Sequence, residues 1–244
     1  TISGTFTWGG GTMSGAGLTN ANGGMTLNGT DKFLNGRTLN NNGDAIWSAG
    51  TLYVFNGAVL NNAAGKTFDI RGDVTMSAGY GAGSFNNAGT VTRSTAIGTA
   101  SIEQPINNAG SIDVQSGTLV LHSGTSDGPI DATGAGLRFA GGGTFTMNGA
   151  LTGTTVEFGG TMSLAGRYAV SNETRVSGSA TFTGQLDSVG TTLTISGNGT
   201  ANFSSGEDIT LPSFSLSNGT LTGSDTVTIS GTFTWGGGTM SGAG

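Results

Sequence analysis

The stretch Thr181–Met240, TFTGQLDSVGTTLTISGNGTANFSSGEDITLPSFSLSNGTLTGSDTVTISGTFTWGGGTM, decides the fold. A T-x-[TSN] triplet begins in it at Thr181, Thr200, Thr220 and Thr239, and the same triplet begins earlier at Thr144 and Thr161. From Thr161 the steps are 20, 19, 20 and 19 residues. A second series runs between the triplets: TVEFGG at Thr155, TRVSG at Thr174, TLTISG at Thr192, FSLSNG at Phe214 and TVTISG at Thr226. A third marks the first half, an apolar residue followed by two asparagines: Leu39-Asn40-Asn41, Leu60-Asn61-Asn62, Phe85-Asn86-Asn87 and Ile106-Asn107-Asn108.

No window holds apolar residues at helical spacing, and glycine interrupts almost every run of eight residues. The runs are short and alternating, rich in Val, Ile, Thr and Phe, and closed by Gly or Asn-Gly, which is strand chemistry. A constant step of about 20 residues suits one coil of a parallel solenoid, in which each strand pairs with its counterpart about 4.8 Å further along the axis. An antiparallel sandwich would show hairpin pairs and a spread of loop lengths instead. The expected fold is therefore all-β, a right-handed parallel β-solenoid (β-helix) with about 11 coils between Thr1 and Thr228.

Alternation along the triplets predicts that Phe145, Met162, Phe182, Ala201, Leu221 and Met240 point inward and stack. The flanking pairs Thr144/Thr146, Thr181/Thr183 and Thr220/Thr222 point outward. Asparagine tolerates a left-handed φ, and its amide can bond the same amide one coil on. Asn40, Asn61, Asn86 and Asn107 are accordingly expected to form a ladder at one corner.

Residues Thr1–Gly17 and Thr228–Gly244 are the same string, TISGTFTWGGGTMSGAG. A match of that length reads as one unit of a tandem array, residues 1–227, followed without a linker by the start of the next unit at 228–244. Composition agrees with a structural chain. Charged residues are 9%, against about 25% in ordinary soluble domains. Cysteine is absent, which excludes disulfides, zinc clusters and thiol chemistry. The net charge of −6 speaks against nucleic acid or an anionic membrane as partner. No apolar run approaches the 18 or so residues of a membrane span. A cysteine-free, Thr/Asn/Gly-rich, mildly acidic chain suits an extracellular or bacterial cell-surface location.

The segments FNNAGTV (85–91), INNAGSIDVQSGTL (106–119) and TLTGSDTVTISGTFTWGGGTMSGAG (220–244) resemble repeat arrays of very large bacterial surface proteins. They also resemble the β-helical stalks of filamentous-haemagglutinin-type adhesins and autotransporter passengers. That resemblance implies a stalk, fibre or adhesin whose partners are its own adjacent units, with glycans or neighbouring filaments as further contacts. It carries over no catalytic residues and no cofactor.

Other chemistry rests on few residues. Asp187, Glu207, Asp208 and Asp225 fall after the triplet in three successive coils, where a carboxylate stack would recruit a cation such as Ca²⁺; a solvated acidic stripe is the plainer expectation. A polysaccharide-active enzyme on this fold needs grouped carboxylates, and the 14 acidic residues are scattered. His122 is the sole histidine, at a position that suits a surface or corner residue better than a general base. The outward Thr column resembles the flat faces of ice-binding solenoids, with breaks at Ser163, Asn202 and Ser241. Arg71-Gly72-Asp73 spells the integrin tripeptide. Five N-x-[ST] sequons begin at Asn28, Asn172, Asn198, Asn202 and Asn218, most of them where a turn feeds a strand. Trp8, Trp47 and Trp235 suit either corner filling or a sugar platform.

Overall fold

The structure, a computed structural model, describes residues 1–79 and 81–244. Among them there are 31 strands and no helix, and every strand pairing is parallel. The strands wind into 12 coils of three faces. The first coil contains Phe6–Trp8 on the first face, Gly11–Ser14 on the second and Leu18–Ala21 on the third. Each face stacks on its counterpart one coil later: Phe6 meets Met25, Met13 meets Leu34, and Ala21 meets Asn41. The third face is a 12-stranded sheet running the length of the molecule. From Ile130 onward the first and second faces often share one bent strand, as in Ile130–Phe139 and Leu151–Phe158, with a register shift where the corner falls.

The inner faces of the strands are mostly apolar and, away from the last coil, buried. Phe68, Phe85, Phe139, Phe145, Phe158, Phe182, Phe203 and Phe214 are almost wholly buried. One inward column on the second face runs Met76, Ile102, Leu121, Phe139, Phe158, Val176, Ile195, Leu216 and Trp235. Consecutive aromatic rings overlap face to face, Phe182 on Phe203 at 4.6 Å and Phe214 on Phe233 at 5.1 Å between centroids. Like residues recur every coil because a parallel stack places each on its own copy.

Four expectations change in detail. Phe145, Met162, Ala201 and Leu221 do share one inward column, but Ala180, not Phe182, completes it. Phe182 lies two residues further along its strand, in the column of Met147, Leu164 and Phe203. A two-residue slip preserves the inward parity, so alternation cannot detect it. The outward pair of that coil is consequently Ser179 and Thr181, and Thr183 falls beyond the strand Ser179–Phe182. TVTISG at Thr226 begins on the first face, whereas TLTISG at Thr192 is on the second. The asparagine ladder is not at a corner but within the strands of the third face. The asparagines in left-handed conformation at corners are Asn56, Asn198 and Asn218, with φ of 54°, 67° and 59°.

Candidate functional site

The third face carries the most regular surface. Its outward column reads Asn20, Asn40, Asn61, Asn86, Asn107, Thr125, Thr146, Ser163, Thr181, Asn202 and Thr222, one residue per coil. The predicted asparagine ladder and the predicted threonine column are thus one feature. Asn40 donates to Asn20 Oδ1, Asn61 to Asn40, Asn86 to Asn61 and Asn107 to Asn86, each at 2.8 Å. A second outward row begins in the later coils, Thr144, Thr161, Ser179, Thr200, Thr220 and Thr239.

A second ladder runs inside, on the second asparagine of each pair. Asn41 donates to Asn62 Oδ1 at 2.8 Å, Asn62 to Asn87 at 2.7 Å, Asn87 to Asn108 at 2.6 Å, and Asn108 to Ser126 Oγ at 2.8 Å. All five side chains are buried. The amides also tie the corner between the third and first faces: Asn62 donates to the Lys66 and Thr90 carbonyls, and Asn87 to those of Gly89 and Ser111. The outer ladder donates toward the first coil and the inner toward the last, so their dipoles oppose. Alternation could have found the inner one. In Leu60-Asn61-Asn62 the second asparagine shares the inward parity of the leucine. The inner ladder begins at Asn41, whose Oδ1 has no donor because Ala21 precedes it in the column.

The other sequence candidates are held apart or engaged. Asp187 pairs with Arg167 on the surface. Glu207 and Asp208 lie exposed in the loop before the strand Ile209–Ser217. Asp225 is buried and accepts from Ser205 N at 2.7 Å, Ser205 Oγ at 2.6 Å and Gly206 N at 2.9 Å. Burial pushes its carboxyl up, and these hydrogen bonds outweigh burial, so it is held below its ordinary range. Among the described residues no three His, Cys, Asp or Glu side chains are grouped as metal ligands. His122 Nε2 lies 3.2 Å from Ser101 Oγ.

The Arg71-Gly72-Asp73 tripeptide is closed by its own surroundings. Arg71 donates to Asp69 at 2.6 Å, while the buried Arg93 donates to Asp73 at 2.6 Å and to the Gly72 carbonyl at 2.7 Å. Two sequons, at Asn198 and Asn218, coincide with left-handed turn asparagines, which explains them as turn chemistry. Trp8 and Trp47 are buried, each donating Nε1 to a nearby glycine carbonyl, whereas Trp235 is 55% exposed. Phe33 and Tyr53 stack in parallel outside the second face at 4.8 Å.

Comparison with protein-family models, with curated proteins and with solved structures returned no match.

Proposed function

We propose that this chain is a structural repeat of an extracellular bacterial stalk, fibre or adhesin, acting as a rigid spacer. The observation that carries the reading is the unbroken third-face sheet of 12 strands, reinforced by two amide ladders, in a chain whose residues 1–17 recur as 228–244. Parallel ladders align backbone hydrogen bonds with the long axis, so load along it is shared by all three faces. Asp187 is engaged in an ion pair and Asp225 in a turn, Glu207 and Asp208 lie apart in an exposed loop, and no catalytic role is proposed. The partners are adjacent units of the same protein. Small-angle scattering tests the spacer: a chain carrying one further unit should lengthen by about 54 Å, from roughly 4.8 Å per coil. A gain below half of that, showing a flexible hinge between units, refutes it.

A second reading has one observation in its favour. Over five coils the two outward rows place Thr, Ser or Asn at every site, spaced about 4.8 Å along the axis. Such a flat, repeated hydroxyl face is what an ice- or glycan-binding solenoid presents. Ice recrystallisation or thermal hysteresis lost in Thr181→Lys and Thr146→Lys variants would establish it; none in the unaltered protein removes the ice reading.

A further inference from the structure

The two copies of the 17-residue string do not occupy the same faces. In the first copy Ile2 bridges to Ala21 on the third face, Phe6–Trp8 is on the first and Gly11–Ser14 is on the second. In the second copy Ile229 pairs with Leu211 on the first face, Phe233 and Trp235 pair with Phe214 and Leu216 on the second, and Met240 pairs with Leu221 on the third. Every equivalent residue keeps its inward or outward sense, but each moves on by one face. The 227-residue offset therefore spans eleven coils and one third, not the eleven expected from the repeat length.

The equivalent residues also differ in cover. Trp8 is 5% exposed and Trp235 is 55%. Phe6 and Met13 are partly buried against the core, while Phe233 and Met240 are 39% and 43% exposed. In the first copy the cover comes from the next coil, with Met25 against Phe6, Leu27 against Trp8 and Leu34 against Met13. These partners belong to the segment that follows Gly17. The same segment following Gly244 would find the same register waiting, one face round.

We propose that the open end formed by Thr228–Gly244 is a docking edge for a further copy of this unit, beginning with the Leu18 segment, and that each copy is turned by a third of a revolution relative to the one before. The inference deepens the spacer reading and rests on it. The Asn/Thr column on the third face of one unit then lies on the first face of the next and returns to the third only after three units. That is 34 coils, about 160 Å. A partner that recognises this column meets it on one side of the stalk at that spacing, and all three sides are used in turn.

Two measurements test this, and the absence of native cysteine keeps both clean. The first uses the 244-residue chain. Ser215→Cys with Thr234→Cys joins positions paired on the second face, and Thr7→Cys, at the position equivalent to Thr234, joins Thr26→Cys on the first face. Both pairs lie within disulfide reach, as neighbouring parallel strands are about 4.8 Å apart. Both should oxidise readily, at least about tenfold faster than Thr210→Cys with Thr234→Cys, which an unrotated copy would bring together. Preferential formation of the Thr210 pair overturns the rotation. The second uses a chain that continues after Gly244 with another copy of residues 18–244. With the other tryptophans changed to Phe, the junction tryptophan should lose most of its acrylamide quenching relative to Trp235 in the single unit. Should those replacements impair folding, Met240→Cys should become protected from a thiol reagent in the longer chain. An open junction in either readout overturns the docking edge. A buried junction with the Thr210 cross-link defeats only the rotation and leaves the spacer standing, whereas an open junction together with no gain in length removes the spacer as well.

Discussion

Replacing Asn87 with alanine separates the two ladders by energy. Asn87 is 1% exposed. Its Nδ2 donates to Asn108 Oδ1 at 2.6 Å, to the Ser111 carbonyl at 3.0 Å and to the Gly89 carbonyl at 3.2 Å, and its Oδ1 accepts from Asn62 at 2.7 Å. The Asn62 amide keeps the Lys66 and Thr90 carbonyls, and the Gly89 carbonyl keeps the Ser111 amide at 2.9 Å. Asn108 Oδ1 loses its donor in a place water does not reach. A buried orphan of that kind costs about 1–3 kcal/mol, and the weakened bonds around it about 0.5–1.5 kcal/mol more. The expected loss is therefore about 1.5–4.5 kcal/mol. Asn86→Ala, one residue earlier on the outer ladder, removes two amide bonds that water can replace, and should cost about 0.5–1.5 kcal/mol. Urea unfolding of both variants, with the midpoints compared at an unchanged slope, gives the difference. If Asn86→Ala proves as costly as Asn87→Ala, burial does not govern the ladders and the reasoning is wrong.

Ala21→Ser should extend the inner ladder by giving Asn41 Oδ1 the donor it lacks, stabilising the protein by about 0.5–1 kcal/mol; a loss on thermal melting would show that the site has no room. Asp225→Asn should cost about 1.5–3 kcal/mol at neutral pH. Because the folded carboxyl sits below its unfolded value, its contribution is present above about pH 3.9 and fades as pH falls through the folded value, so the variant and parent melting curves should converge in acid. Gly110→Ala should cost about 1–3 kcal/mol, since its Cβ would stand 1.9 Å from the Gly89 carbonyl oxygen, while Gly4→Ala, with open space around it, should change the midpoint little.

Much of this fold was legible because a parallel stack writes its geometry into the sequence. The 19–21-residue step, the inward column of Phe145, Met162 and Leu221, and the hydrogen-bonded series Asn40, Asn61, Asn86 and Asn107 all follow from each residue resting on its own counterpart. Slips by two residues were not legible. Ala180 and Phe182 both point inward, and only the pairing of Ser179–Phe182 with Thr161–Leu164 decides which of them stands over Met162. Nor did the tripeptide Arg71-Gly72-Asp73 announce its closure, because Arg93, which binds both Gly72 and Asp73, comes from the next coil.

The face of a motif was the least legible property, for a physical reason. Outside the inner amide ladder, all three faces ask for much the same thing, an inward apolar residue at every second position with turn residues, often Gly or Asn, at the corners. Nothing in FTWGGGTM distinguishes the first face from the second. The string is read on the first and second faces near Phe6 and on the second and third near Phe233, and it satisfies the core in both places. Sequence identity therefore fixes local register and parity but leaves the angle about the axis to the running sum of coil lengths. Those lengths vary from coil to coil: the step is 25 residues between Asn61 and Asn86 and 18 between Asn107 and Thr125. Insertions and deletions at corners shift that sum while leaving the strands untouched. An array of identical units can thus wind its surface pattern around the stalk through corner lengths alone, with no change to any strand that holds the core together.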